Sequence, residues 1–228
     1  MTEHPQHKVA CMQPYLFPYL GYFQLIKAVD SFIILNDVNY FKKGFIHRNT
    51  IEVSNKPYTF TIPVKKPSQN RKINEHFIEQ TWSSRDLINT LKHAYKKAPF
   101  YDENIEIINI CLQLCEQRRL CTAAHLIFKE ICYILGIKTK IFISSNFNVK
   151  KTGQDRIIEL CKLNNATQYI NLMGGKINNL YHQKDFDPID LKFIERTDDW
   201  GNYSVIHYLF TKGREKTKNI LNDYRLVA

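Results

Sequence analysis

The sequence predicts an α/β protein built on a parallel sheet, and three observations carry that expectation. A short apolar run, a helical segment and a second apolar run succeed one another within residues 8–35. That is the βαβ pattern, which implies parallel strands and a right-handed crossover. Residues 136–194 resume the alternation of helices with short strands, and residues 83–135 between the two halves read as helical. The 228 residues suit one large domain, with α/β halves at about 8–66 and 136–228.

Taken in order, Lys8 to Met12 is apolar enough for a buried strand and stops at Gln13-Pro14. Phe23, Leu25 and Ile26 fit a helix over Leu20 to Val29, and Ser31 to Leu35 is a second buried strand rich in β-branched residues. Tyr58, Phe60, Ile62 and Val64 alternate with Thr59, Thr61 and Pro63, as in a strand buried on one face, and Pro63 suits a sheet edge. An exposed loop is expected at 67–76. Three helices should follow, with buried faces at Leu87, Leu91, Ala94 and Tyr95, at Ile108, Cys111, Leu112 and Cys115, and at Ile127, Phe128, Ile131 and Leu135. Gly136 stands at a helix C-cap position before a strand from Ile137 to Ile143. A helix from Gly153 to Leu163, a strand from Gln168 to Asn171, a turn at Gly174-Gly175 and a strand from Leu191 to Ile194 come next, and the chain from Tyr203 onward reads as helical.

Composition narrows the function classes. At 44% hydrophobic and 24% charged, the chain is a packed globular protein rather than a disordered one. The net charge of +10 is dispersed in pairs such as Lys42-Lys43, Lys65-Lys66 and Lys150-Lys151. Such a surface attracts phosphate-bearing partners, but no DNA-binding signature accompanies it. Six Cys lie mostly in apolar periodic segments without a C-x-x-C, so buried free thiols in a reducing compartment are expected, and no metal. No run approaches a membrane span and MTEHPQHK lacks a signal-peptide core, which points to the cytoplasm.

Chemistry-bearing residues concentrate in two segments. The first, QPYLFPYLGYFQLI at 13–26, follows the first strand at the carboxyl end, where open α/β sheets hold ligands. Pro14 and Pro18 fix this loop, Gly21 permits a close backbone approach, and the helix N-terminus behind it favours anions. Tyr15, Tyr19 and Tyr22 offer hydroxyls and stacking faces, and Gln13 and Gln24 offer amides. An aromatic turn packed for stability is the plainer account, but the density of polar groups around one glycine favours a site. The second segment, NDVNYFKKGFIHRN at 36–49, follows the second strand at the same sheet edge. Its Asp37 can act as a base or orient an amine, and His47 can act as a general acid or base. Lys42, Lys43 and Arg48 can hold phosphates, and Asn39, Tyr40 and Asn49 can read sugar hydroxyls.

The first segment is similar to the His-x-Gly-His loop of nucleotidylyltransferases and pantothenate synthetase, with Tyr19-Leu20-Gly21-Tyr22 as the tetrad and tyrosines at both histidine positions. That likeness implies a nucleotidylyltransferase-like core. MQPYLFPYLGYFQLI, NDVNYFKKGFIHRN, KKAPFYDE at 96–103, LGIKTKIFISS at 135–145 and TGQDRIIELCKLNNATQYINLMGG at 152–175 together resemble the WbqC-like protein family of bacteria. The chain carries Asn36, Asn39, Phe45, His47 and His207 where that family usually has an acidic residue, Gln, Trp, Asn and an acidic residue.

The resemblance implies a role among genes for O-antigen and other surface polysaccharides. The residues then suggest an enzyme that acylates or aminoacylates the amine of a nucleotide-linked amino sugar. Activation by ATP, with an acyl-adenylate intermediate, is one route, and an aminoacyl-tRNA donor is another. A glycosyltransferase is less well supported, because no convincing D-x-D metal signature is found and the pair Asp198-Asp199 before Trp200 falls in an expected loop without other ligands. A non-catalytic module that presents a sugar nucleotide is the alternative outside enzymology. Lys150, Lys151 and Arg156, near a helix start, are weaker candidates to complete a nucleotide site.

Overall fold

A computed structural model describes residues 6–228. Strand β1 (Lys8–Met12) leads through helix α1 (Leu20–Lys27) into β2 (Ser31–Ile34), and the two strands pair in parallel from Val9↔Ser31 to Met12↔Ile34. Their side chains alternate between faces. Val9, Cys11, Ile33 and Leu35 enter one buried cluster, whereas Ala10, Phe32 and Ile34 enter another. Both clusters are apolar because a parallel sheet is covered on both faces.

Strands β5 (Lys140–Ile143), β6 (Gln168–Leu172), β7 (Asp190–Arg196) and β8 (Tyr224–Val227) complete a six-stranded sheet in the order β5-β2-β1-β6-β7-β8. All neighbours are parallel except β7 and β8. This is a mixed α/β fold with a mostly parallel central sheet. The chain winds outward from β1 through β2 to β5, then crosses back through α5 (Gly153–Leu163) to β6 on the other side of β1. Winding therefore reverses between β1 and β6, where open sheets leave a crevice beyond their carboxyl ends.

The helical middle forms as its periodicity requires. In α2 (Arg85–Tyr95) the buried residues Leu87, Leu91 and Tyr95 recur every fourth position. Helices α3 (Tyr101–Gln113) and α4 (Leu120–Ile134) bring Ile108, Cys111 and Phe128 into the larger cluster, together with Leu209 of α8 (Val205–Ile220). The smaller cluster is covered by Ile157 and Leu160 of α5 and by Phe186 of the short α7 (Gln183–Phe186). Gly136 has φ +64 just beyond α4, the left-handed conformation expected of its cap position.

Several local expectations are corrected. Residues 58–61 belong to β4 (Lys56–Thr61), which pairs with β3 (Arg48–Val53) in a separate two-stranded hairpin. Tyr58 is exposed there, and only Phe60 of that strand is buried. Ser54 and Asn55 both take positive φ, 51° and 60°, which gives the tight two-residue turn that suits a twisted hairpin. Gly174 and Gly175 lie within the short helix α6 (Met173–Ile177) rather than in a turn. The strand expected from Ile137 begins at Lys140, and the C-terminal helix gives way to β8. The 67–76 loop contains a 3-10 turn at Ile73–Glu75 whose buried Ile73 donates its N–H to Val38 O (2.9 Å), so this loop packs against the segment after β2.

Candidate functional site

A cleft of about 700 Å³ opens at the winding reversal. Its walls come from the β1–α1 loop and the first turns of α1 (Tyr15, Tyr19, Gly21, Gln24), from β6 and α6 (Asn171 to Gly175), and from Ile194 and Arg196 at the end of β7. Phe45 closes one side and Tyr181 another. The Tyr15 and Phe45 rings lie 6.4 Å apart at 52°, so two aromatic faces border the opening. Gly21 has a definite steric role: a Cβ there would stand 2.8 Å from Tyr19 Cε2, so only glycine lets the Tyr19 ring lie across the start of α1.

Among the described residues, Arg196 is the one cation lining the cleft. Its Nη1 donates to Gly201 O at 2.9 Å, which anchors one edge of the guanidinium. Its other N–H groups have no hydrogen-bond partner among the described residues, so they can meet a phosphate or carboxylate. Burial raises the Tyr15 hydroxyl and pushes the Tyr19 hydroxyl up to about 12, so both stay protonated donors at neutral pH.

A second cavity, of about 530 Å³, lies at the ends of β2 and β5 and the start of α5. Asp37, Asn39, Lys72, Asn74, Ser145, Lys150, Lys151 and Arg156 are among its lining. Arg156 is buried, and its Nη2 stands 2.6 Å from each oxygen of Asp37. Ser144 donates a short hydrogen bond to the same carboxylate. Arg156 Nη1 donates to Val149 O (2.6 Å) and Lys151 O (3.3 Å), which fixes the loop that carries the two lysines. The strands that bear the two cavities are neighbours, so the sites lie on the order of two strand spacings, about 10 Å, apart along one sheet edge.

The residues singled out by sequence are dispersed among distinct environments. Tyr15, Tyr19, Gly21, Gln24 and Asn49 line the cleft, and Asp37 and Asn39 line the second cavity. Tyr22 is fully buried, donates its hydroxyl to Gln13 O (2.6 Å) and packs against Phe32 and Phe128, so its hydroxyl and ring are engaged within the core. The Gln13 side chain is half-buried with no hydrogen-bond partner among the described residues. Gln24 is buried and donates through Nε2 to Ile220 O and Asp223 O. Asn49 clasps the chain by donating to Phe17 O (2.8 Å) while its Oδ1 accepts from Thr50 N.

Tyr40 is buried, stacks on His76 at 4.4 Å and bonds His47 Nδ1 at 2.8 Å. Burial, with Arg48 nearby, lowers the His47 pKa, which keeps the imidazole neutral at pH 7. Arg48 closes its own loop by donating to Gly44 O (3.1 Å) and Lys43 O. Lys42 and Lys43 are exposed on that loop. Asp37 and Asn36 hold the ends of β2 and β5 together through Ser144 and Ser145.

Sequence reasoning missed Arg196, Asn171, Asn178 and Tyr181 in the cleft. Arg196 and Asn171 had a usable signal, since both stand at the carboxyl ends of strands, where the rule that selected 13–26 and 36–49 applies equally. All six cysteines are free, and burial pushes the thiols of Cys111, Cys121 and Cys132 up to about 12. Among the described residues no three His, Cys, Asp or Glu cluster to hold a metal ion, and no helix is long and apolar enough to cross a membrane.

Fold and site together define an open-sheet α/β protein with a ligand-sized cleft at its winding reversal. The chain belongs to the WbqC-like protein family, whose model matches residues 13–216. It is 27% identical over 221 residues to an uncharacterized protein of Mycobacterium tuberculosis, a match covering 91% of this chain and 95% of that protein. No solved structure matches the chain.

Proposed function

We propose that the chain is a single-domain cytoplasmic transferase of surface-polysaccharide assembly that acylates or aminoacylates the amine of a nucleotide-linked amino sugar. The observation that carries this reading is the cleft at the β1–β6 reversal, with two aromatic faces, amide side chains and the half-anchored guanidinium of Arg196. Aromatic faces suit a base or sugar ring, amides suit hydroxyls, and Arg196 suits a phosphate. The position of the cleft beside β1 supports the likeness to a nucleotidylyltransferase core, while Tyr19 and Tyr22 provide no imidazole for nucleotidyl transfer. Family membership supports the pathway. The second cavity, with Lys72, Lys150 and Lys151 beside the start of α5, suits the phosphate of an activated donor, an acyl-adenylate or the end of an aminoacyl-tRNA.

Asp37 is occupied by Arg156 and Ser144, so in this reading it organises the second cavity and does not take the proton of the amine. His47, neutral and with no hydrogen bond to Nε2 among the described residues, is the remaining acid–base group of the two segments. The engagement of Asp37 also favours a second reading, a non-catalytic module that presents a sugar nucleotide to another enzyme. ATP–pyrophosphate exchange against a panel of carboxylic and amino acids, with amino-sugar nucleotides present, separates the two. A transferase gives exchange, or a mass gain on the sugar nucleotide with an aminoacyl-tRNA donor. Sugar-nucleotide binding without product from any donor selects the module.

A further inference from the structure

Gln24 is fully buried, and its two amide atoms have opposite fortunes. Nε2 donates to the carbonyl of Ile220, the last residue of α8, at 3.1 Å and to Asp223 O, just beyond it, at 3.3 Å. Carbonyl oxygens only accept, so a flipped amide would set oxygen against oxygen and the orientation is fixed. Oε1 is left without a partner among the described residues. Native chains rarely bury an unpaired acceptor, and each case calls for a reason. Here the reason lies in its position. Gln24 and Gly21 both line the cleft, and Oε1 is 3.9 Å from the point a Gly21 side chain would occupy. The Tyr19 ring covers that point at 2.8 Å, so the acceptor lies in the cleft wall behind a ring that a ligand would displace to reach it.

We propose that Gln24 reads the amino group of the ligand, with Oε1 accepting one of its N–H bonds. This rests on the sugar-nucleotide reading above and names the residue that would set its specificity. The Arg196 charge and the loss of water on entering the cleft both disfavour a second cation there, so the amine enters neutral. A neutral amine that donates to Oε1 keeps its lone pair, the form an acyl acceptor needs. A sugar with hydrogen at that carbon would leave the buried oxygen unpaired again.

Titration calorimetry on the full chain tests this with UDP-, dTDP- and GDP-hexoses carrying an amine at ring carbon two, three or four, each beside its deoxy counterpart. At least one pair should bind, with the amino form about tenfold tighter, the size of one well-made hydrogen bond to a buried group. In Gln24→Met, which keeps the length but has no comparable acceptor, the ratio should fall to about two or less. Loosened packing weakens both members alike, so the ratio reports recognition rather than folding. Equal affinity within every bound pair of the wild-type chain overturns the role of Gln24 and leaves the sugar-nucleotide reading standing, even if the variant does not fold. No binding by any member overturns that reading, and the role of Gln24 with it.

Discussion

Arg156 Nη2 stands 2.6 Å from both oxygens of Asp37, and the two side chains are only 8% and 11% exposed. Removing one partner of so secluded a pair leaves the other charge without compensation, which is far costlier than losing a surface pair. Asp37→Asn should therefore cost about 3 kcal/mol of stability, read by denaturant unfolding. An Asp37 that served as a free catalytic base would instead lose turnover with stability unchanged. The sequence marked Asp37 as reactive because it follows a buried strand. Its partner is 119 residues further on, and no local pattern announces so distant a pairing. The same distance hides the partners of Gln24, whose Nε2 meets backbone 196 and 199 residues away. Tyr22 carries the opposite lesson: a tyrosine in a polar-looking segment is read as a ligand group until four aromatic neighbours enclose it.

At the scale of elements, α8 is bent by one residue. Gly213 holds φ +75 and ψ 172 inside the helix, and a Cβ there would come within 2.6 Å of the Phe100 ring. That backbone region is nearly exclusive to glycine, and the ring leaves no space for a methyl group. Gly213→Ala should cost about 3 kcal/mol and lower the thermal unfolding midpoint by roughly 6–12 °C, as scanning calorimetry would show. Elements with a strong period were legible. The βαβ opening, the three middle helices and α5 follow from apolar spacing alone. The β3–β4 hairpin was not, because Ser54-Asn55 is a weaker turn signal than Asn-Gly and the strand before it opens with Arg48 and Asn49, which look like loop. Strand β8 was hidden because its four residues follow a long helix and pair only with β7.

Across the whole molecule, sheet order decides where chemistry can occur. Because winding reverses between β1 and β6, segments far apart in sequence converge on one crevice: the 13–26 loop, Phe45, the Asn171 region and Arg196. The sequence located the β1 and β2 ends of that edge, since both strands lie within its first βαβ unit. It did not reveal that β6 and β7 adjoin β1, and so half of the cleft was invisible. The central claim, that this cleft takes the phosphate-bearing ligand through Arg196, is tested most directly by calorimetric affinity for the best-bound sugar nucleotide in Arg196→Gln and, as a control, Lys43→Gln. Loss of a charged hydrogen-bond donor should weaken binding about 10- to 100-fold in Arg196→Gln, with affinity unchanged in Lys43→Gln on its exposed loop. Undiminished affinity in Arg196→Gln would contradict the account.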